Sequence, residues 1–171
     1  MPDQNAPMAR RANKGLAVRE PRIEYLGFVA CGHTYGVPLG DVREILRLPP
    51  LTEVPRAPNW VMGIVSVRGL LVTVIDLRIR LRGSAQASTK KGRVLLVVGA
   101  QNEIVGLYVD EVLQVFRLAE KEIEATSSVL GGQIAEHVVG IGRSEGKMLT
   151  LIDLGPILGR SPEAVEDGHA A

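Results

Sequence analysis

The chain has 171 residues, a formal net charge of +1, 46% hydrophobic residues and only 4% aromatic residues. A chain of this length can bury a core without disulfides, and that core must be built from aliphatic side chains. The small net charge excludes a strong global attraction to polyanions, and the scarcity of aromatic residues disfavours a nucleic-acid binder that stacks bases. Cys31 is the single cysteine, which excludes an intramolecular disulfide and a multi-cysteine metal site.

Polar segments frame the chain. Residues 1–20 are small, polar and mildly basic, and residues 160–171 are polar with an acidic bias, so both are predicted to be disordered tails around a domain at 21–159. Residues 83–92 have the composition of a linker. No apolar run reaches the roughly 18 residues that span a bilayer, and no secretory signal is visible, so we expect a cytoplasmic protein.

Between the tails, short β-branched runs separated by glycines are typical of strands, and several are apolar on both faces, as in strands packed between two layers. One segment, residues 41–48, has a helical pattern, because Val42, Ile45 and Leu46 recur at i, i+3 and i+4. Many short strands with brief connections predict small β-barrels rather than a doubly wound sheet. The predicted strands are 25–30, 34–39, 63–67, 70–76, 94–98, 104–109, 138–141 and 148–153.

An internal repeat occurs in two blocks. Residues 36–48 align with residues 106–118 at an offset of 70, with identical Gly, Val, Arg and Leu positions. Gly63, Gly69 and the segment 73–77 recur at an offset of 77, so a single insertion separates the blocks. Two blocks in the same order predict that the chain contains two copies of one β unit.

Asp76 and Asp153 occupy equivalent positions in the two copies, as a pair of catalytic carboxylates could. Each of them, however, follows an apolar strand and precedes a short segment. This context favours an aspartate that caps the free N–H groups of a helical turn.

The other polar residues lack the spacing of a catalytic or metal site. His33, His137 and His169 are far apart and show no ligand spacing with one another or with Cys31. Residues 140–145 (GIGRSE) lack the third glycine and the strand-to-helix context of a dinucleotide-binding loop. We therefore expect no catalytic residue, no metal and no cofactor.

Two charged residues are hard to explain as core. Glu44 lies in the predicted helix on the face opposite Ile45, and Arg68 precedes Gly69 at a predicted hairpin turn. Arg68 corresponds to Glu145 in the second copy, so the repeat does not require a cation there. Arg68 is either an ordinary solvated turn residue or a surface residue with a role peculiar to the first copy.

Short motifs follow one another in a fixed order: Gly36, 42–45 (VREI), 52–55 (TEVP), 57–58 (AP), 63–64 (GI), 67–69 (VRG), 74–77 (VIDL), 106–110 (GLYVD) and 140–141 (GI). In this order and spacing the chain resembles the CheW family of chemotaxis coupling proteins from residue 24 to residue 158. The resemblance implies an all-β fold, with two five-stranded SH3-like barrels and short helices in one compact unit with a shared core.

The resemblance also implies a non-catalytic adaptor that joins the cytoplasmic tip of a chemoreceptor to the regulatory domain of the histidine kinase CheA. Such an adaptor is recruited to membrane receptor arrays through these partners, and it binds no nucleic acid. The receptor-side positions carried over are Val42, Glu44, Arg68, Val94, Val112 and Val115. The kinase-side positions carried over are Arg56, Ala57, Pro58 and Gly63.

The chain departs from the family pattern beside Arg68. Ser66 and Val67 stand where the family usually has Asn-Leu, and Thr73 stands where it usually has Pro. A member that binds a receptor but not the kinase is therefore one alternative. An enzyme with a site between the barrels is an alternative of a different class.

Overall fold

The computed structural model describes residues 18–84, 87–126 and 136–158, and most of the two predicted tails lies outside these residues. Of the predicted N-terminal tail, residues 18–20 are described, and the Glu20 carboxylate there pairs with Lys121 Nζ at 2.9 Å. The strands are β1 (Arg22–Ala30), β2 (His33–Pro38), β3 (Val42–Arg47), β4 (Val61–Val67), β5 (Leu70–Asp76), β6 (Arg93–Val98), β7 (Ile104–Val109), β8 (Glu111–Ala119), β9 (Ile123–Ala125), β10 (Val138–Ser144) and β11 (Lys147–Ile152). The helices are α1 (Leu77–Arg82), α2 (Leu154–Leu158) and the 3₁₀ turns Leu39–Asp41 and Glu120–Glu122.

The predicted helix at 41–48 is wrong, because residues Val42–Arg47 form strand β3. Its side chains alternate between half-buried and exposed, which is the period of a strand. The helical pattern spanned little more than one turn, and the β-branched Val42 and Ile45 also suit a strand. Antiparallel pairing with β6, which is far away in sequence, decides between the two structures.

The described strands form two sheets. One has the order β8-β1-β2-β11-β10-β9 and the other has the order β3-β6-β7-β5-β4. Pairing is antiparallel except between β2 and β11 and between β5 and β7. The first sheet has six strands where the resemblance implied five, because the short β9 adds to the edge beside β10.

Both sheets curl toward closed barrels. In the five-stranded sheet, Arg68 at the β4–β5 turn contacts Glu44 on β3, although β3 and β4 are its two outer strands. In the six-stranded sheet, Leu118 of β8 lies so close to Gly142 of β10 that a Cβ at Gly142 would be 2.5 Å from Leu118 Cδ1. The predicted all-β fold with two barrel-like units is therefore confirmed.

The sheet orders confirm the duplication and add a strand exchange. The repeat relates β2 to β7, β3 to β8, β4 to β10 and β5 to β11. With these equivalences, the order β3-β6-β7-β5-β4 of one sheet matches the order β8-β1-β2-β11-β10 of the other. Each barrel, however, takes a hairpin from the other copy. The β1–β2 hairpin pairs with β8 and β11, and the β6–β7 hairpin pairs with β3 and β5.

Among the described residues, the buried apolar side chains form three clusters. The shared core lies between the barrels and takes residues from both sheets: Leu26, Phe28, Ala30, Tyr35, Val37, Ile75, Leu77, Leu95, Val97, Val105, Leu107, Val109, Ile152, Leu154 and Ile157. The core of the five-stranded barrel contains Val65, Val72, Val74, Val94, Leu96 and Tyr108. The core of the six-stranded barrel contains Tyr25, Phe116, Leu118, Leu149 and Leu151.

The two equivalent aspartates of the repeat both cap helical turns, as predicted. Asp76 Oδ1 accepts a hydrogen bond from the backbone N–H of Arg78 at 3.0 Å, and Asp153 Oδ1 accepts one from the backbone N–H of Gly155 at 2.8 Å. Asp76 is buried and Asp153 is exposed. The copies therefore share the cap but differ in the surroundings of the carboxylate.

A buried ion network surrounds the Asp76 carboxylate. Arg78 binds both Asp76 oxygens, through Nε at 2.9 Å and Nη2 at 2.8 Å, and its Nη1 donates to Asp110 Oδ1 at 2.8 Å. The guanidinium also lies 4.7 Å from the centroid of the Tyr108 ring. Asp110 Oδ2 accepts a hydrogen bond from the Cys31 N–H at 2.8 Å. The network therefore ties α1 and the end of β7 to the turn of the exchanged β1–β2 hairpin.

A second contact joins the two short helices. The Arg80 guanidinium of α1 lies 4.9 Å from the Trp60 ring centroid, and its Nη2 donates to the carbonyl oxygen of Ile157 in α2 at 3.0 Å. The half-buried His137 lies near the same guanidinium. Burial lowers the pKa of His137, and the positive charge of Arg80 lowers it further.

This lowered pKa gives a pH prediction. The unfolded chain binds more protons than the folded chain as pH falls below about 6.5, so His137 should make the free energy of unfolding decrease on acidification through this range. In His137→Gln that decrease should be smaller. Urea denaturation of both proteins between about pH 8 and pH 5.5 measures it, and an equal acid loss in the variant would contradict the assignment.

Candidate partner-binding surface

Arg68 lies at the tip of the β4–β5 hairpin. Arg68 and Gly69 have φ values of 49° and 80°, and a two-residue type I′ turn requires positive φ at both positions. The Arg68 side chain is 74% exposed, and its Nη2 donates to Glu44 Oε1 at 2.5 Å. The equivalent turn at Glu145 and Gly146 has the same backbone geometry. The predicted hairpin turn is confirmed, and Arg68 has a partner on β3.

Four aliphatic residues on two edge strands form what we call the inter-barrel strip: Val42 and Ile45 on β3, and Val112 and Val115 on β8. Val42 and Val112 pack against the shared core, whereas Ile45 and Val115 are 42% and 40% exposed. Residues directly opposite each other in adjacent strands point to the same face of a sheet. The residues opposite the strip, Val97, Leu95, Phe28 and Leu26, all belong to the shared core.

The duplication relates the two halves of this strip. Val42 corresponds to Val112, and Ile45 corresponds to Val115, at the offset of 70. The resemblance implies three of these residues, whereas the sequence pattern places Ile45 on the apolar face of the predicted helix. The repeat is the signal that could have found Ile45, because Ile45 is the counterpart of Val115.

Val94 does not lie on this surface. It is fully buried in the core of the five-stranded barrel, because alternate residues of β6 point into that barrel. It pairs with Leu46 of β3. The resemblance-based assignment of Val94 as a receptor contact therefore does not fit the structure, and Val94 supports β3 from inside the barrel.

The residues implied for kinase contact differ in their exposure. Arg56 is exposed with a φ of 62°, and Ala57 and Pro58 are half-buried. They line a shallow cavity of about 500 Å³ in the segment that precedes β4. Gly63 is buried, and a Cβ at this position would be 2.6 Å from the Thr52 carbonyl oxygen. Gly63 thus permits a close backbone contact and presents no side chain to a partner.

The sequence predicts no catalytic residue and no metal site, and this prediction can be compared with the described residues. Within ranges 18–84, 87–126 and 136–158, no group of three or more His, Cys, Asp or Glu residues could hold a metal ion. His33 contacts Arg82, and His169 lies outside the described residues. Burial raises the pKa of the Cys31 thiol, and its Sγ donates to the Ser84 carbonyl oxygen at 3.2 Å. A protonated thiol is a poor nucleophile.

The described part of the chain contains no helix that is both long and apolar enough to cross a membrane.

Comparison with known proteins identifies the family. Residues 24–161 match the family model of the CheW-like domain. The chain is 27% identical to the chemotaxis protein CheW of Helicobacter pylori over 139 residues, which are 81% of this chain and 83% of the relative. It is 31% identical to protein FrzA of Myxococcus xanthus over 137 residues, 78% of this chain and 83% of that protein.

The crystal structure of the scaffolding protein TtCheW from Thermoanaerobacter tengcongensis has a similar fold. The two structures superpose with a TM-score of 0.73 at 28% sequence identity, covering 82% of this chain and 94% of TtCheW. The family match covers both barrels, including the strip and the Arg68 hairpin. The chain therefore belongs to the CheW-like family.

Proposed function

We propose that this protein is a non-catalytic chemotaxis adaptor that couples the cytoplasmic tip of a chemoreceptor to the regulatory domain of a CheA-type histidine kinase. The proposal is supported by several relatives that are named chemotaxis protein CheW and by the similar structure of the scaffolding protein TtCheW. In this proposal the protein acts in the cytoplasm and reaches membrane receptor arrays through its partners. The observation that carries the proposal is the inter-barrel strip with its neighbouring Glu44–Arg68 pair.

The strip is the receptor side of the adaptor. Ile45 and Val115 each leave apolar surface in water on an edge strand, next to Val42 and Val112, which pack on the same shared core. Exposed apolar surface on an edge strand is available for contact with a partner. Because Val42 and Val112 pack against the shared core, the backbone of the strip is held in place by that core. A partner segment with an apolar face would remove these side chains from water.

The Glu44–Arg68 pair joins β3, the strand that carries Val42 and Ile45, to the β4–β5 turn. Glu44 is opposite Leu96 and therefore lies on the other face of β3 from Ile45. An ion pair this exposed contributes only about 0–1 kcal/mol to folding. At an interface the same guanidinium can make paired hydrogen bonds to a partner, and arginine is frequent among residues that dominate binding energy. Arg68 therefore serves recognition, and Glu44 holds its side chain in place.

The kinase side is the loop that contains Arg56, Ala57 and Pro58. The exposed loop and its shallow cavity offer contacts of mixed polarity. Gly63 contributes indirectly, because its lack of a Cβ lets β4 approach the Thr52 backbone.

Separate binding titrations with a receptor cytoplasmic fragment and with the kinase regulatory domain test this proposal. Arg68→Ala should weaken receptor binding by at least about tenfold, Glu44→Ala should weaken it less, and neither should change the melting temperature appreciably. Arg143→Ala is the matched control, since Arg143 is a similarly exposed arginine that pairs with Glu124 in the other barrel.

Unfolding of Arg68→Ala would show that Arg68 is a structural residue, and unchanged receptor binding would refute its role in recognition. Failure of the wild-type protein to bind the kinase regulatory domain, with receptor binding retained, would favour the alternative of a receptor-binding member without a kinase partner.

A further inference from the structure

Two arginines face each other across a strand pair at one end of the inter-barrel strip. Arg47, the last residue of β3, is directly opposite Arg93, the first residue of β6. Their pair follows the Ile45–Leu95 pair on the same face of the sheet. Like charges in directly opposite positions destabilise a strand pair. This arrangement therefore opposes folding rather than supporting it.

The described residues around this pair do not neutralise it. Arg93 Nη1 donates to the carbonyl oxygens of Lys90 and Gly92 at 3.0 and 2.8 Å, and these acceptors carry no formal charge. Within the described part of the chain, Arg47, Lys90 and Arg93 form no ion pair with a carboxylate. We call these three residues the basic end.

The duplication supplies an internal comparison. Arg117 of β8 is the counterpart of Arg47 at the offset of 70. In the six-stranded barrel, however, Arg117 is directly opposite Glu24, and its Nε lies 2.9 Å from Glu24 Oε1. The same position is thus neutralised in one barrel and left charged in the other. The fold itself does not require an arginine opposite Arg47.

The segment that carries Lys90 is held in place. The Thr89 N–H donates to Tyr108 Oη at 3.3 Å, and the Gly92 N–H donates to the Thr89 carbonyl oxygen at 3.1 Å. Gly92 is packed so tightly that a Cβ there would be 2.0 Å from Tyr108 Oη. The basic end borders an open cavity of about 400 Å³ that is also lined by Leu48. The backbone that carries Lys90 is therefore fixed before any partner binds, and the Arg93 guanidinium is bonded to it.

The basic end is continuous with the strip. Residues two apart on a strand share a face and lie about 7 Å from each other, so Arg47 follows Ile45 along the same surface. On the other side, Lys91 Nζ lies 3.6 Å from Glu111 Oε1, which places this segment beside the start of β8, next to Val112. A partner segment on the strip therefore reaches the basic end.

We propose that the receptor segment bound on the inter-barrel strip carries aspartate or glutamate side chains at the end that meets Arg47, Lys90 and Arg93. Guanidinium groups pair with carboxylates through two parallel hydrogen bonds, and two arginines that have no carboxylate partner among the described residues suit such recognition. This inference rests on the proposed function and adds to it the charge pattern of the partner: an apolar face with an acidic end.

The test measures the affinity of a receptor cytoplasmic fragment for the full chain at ionic strengths of about 0.05 M and 0.5 M. The double variant Arg47→Ser, Arg93→Ser should bind at least about tenfold more weakly at low salt and should show a smaller salt dependence than wild type. Its melting temperature should change little, because removal of the repulsive pair offsets the loss of the Arg93 hydrogen bonds to the Lys90 and Gly92 carbonyl oxygens. Arg117→Ser, the matched control in the other barrel, should retain wild-type affinity and salt dependence.

A strip variant separates this inference from the proposed function. Val115→Asp should abolish receptor binding if the strip is the receptor side. If Val115→Asp fails to bind but the double variant keeps wild-type affinity and salt dependence, the acidic-end inference is wrong and the proposed function stands. If Val115→Asp, while folded, binds normally, the strip is not the receptor side. Neutralising the acidic residues of the receptor fragment should abolish the difference between wild type and the double variant, and a persisting difference would overturn the inference.

Discussion

Arg78→Met is expected to lower the free energy of unfolding by about 3–5 kcal/mol, the largest effect on stability that we predict for a single side chain. The Arg78 and Asp76 side chains are 3% and 6% exposed, and Met would fill much of the arginine's volume without its charge. The Asp76 carboxylate would then be buried without a cation, and Asp110 would lose its ion-pair partner. Urea denaturation with a fluorescence or circular dichroism readout measures the change.

Two further variants make this prediction specific. Arg117→Met removes an exposed pair and should cost no more than about 1 kcal/mol. Adding Asp76→Asn and Asp110→Asn to Arg78→Met should recover part of the lost stability, because the uncompensated charges are gone and asparagine can still cap a helix. A loss below about 1 kcal/mol for Arg78→Met would show that water or backbone groups satisfy both carboxylates.

Ile45→Asp combined with Val115→Asp is expected to reduce receptor affinity by at least about a hundredfold, the largest effect on binding. Each substitution puts a carboxylate on a surface that the partner must cover, so binding would have to desolvate two charges. Both side chains are about 40% exposed in the free protein, so folding should survive. Isothermal titration with a receptor cytoplasmic fragment, alongside a melting curve, measures both quantities.

The matched control is Met148→Asp on β11, since Met148 is a large apolar residue that is 59% exposed outside the strip. It should bind the receptor fragment as wild type does. Binding of the kinase regulatory domain should persist in the double strip variant, which separates loss of one contact from loss of the fold. Wild-type receptor affinity in the folded double variant would refute the strip as the receptor side.

Several features could be predicted from the sequence because they depend on residues that are close together in the chain. Short β-branched runs predicted most of the strands, and the pairs Arg68-Gly69 and Glu145-Gly146 form tight hairpin turns because glycine tolerates positive φ at the second position. Asp76 and Asp153 cap helical turns because each one directly precedes a short helix. These features depend on neighbouring residues alone, and the repeat at offsets of 70 and 77 needed no structure to be detected.

Contacts between distant segments decided the features that sequence reasoning missed. Residues 41–48 fit one helical turn and a strand equally well, and only pairing with β6 makes them a strand. Val94 is apolar like its neighbours Leu95 and Val97, and only the closed barrel shows that it points inward while they point to the shared core. Likewise, the sequence does not show that Arg47 faces a second positive charge, because only the register of β3 with β6 places Arg93 opposite it.

The sequence by itself determined that the chain is a duplicated, strand-rich unit, whereas only the tertiary structure decided how the two copies share their strands. A repeat records which segments are equivalent, but it does not tell which copy of a hairpin joins which barrel. The β1–β2 and β6–β7 hairpins carry apolar residues on both faces. One face of each hairpin must therefore be covered by the interior of a barrel, and its second face by the opposite hairpin. Exchanging the hairpins buries both faces in one shared core, because it brings β1, β2, β6 and β7 together between the barrels.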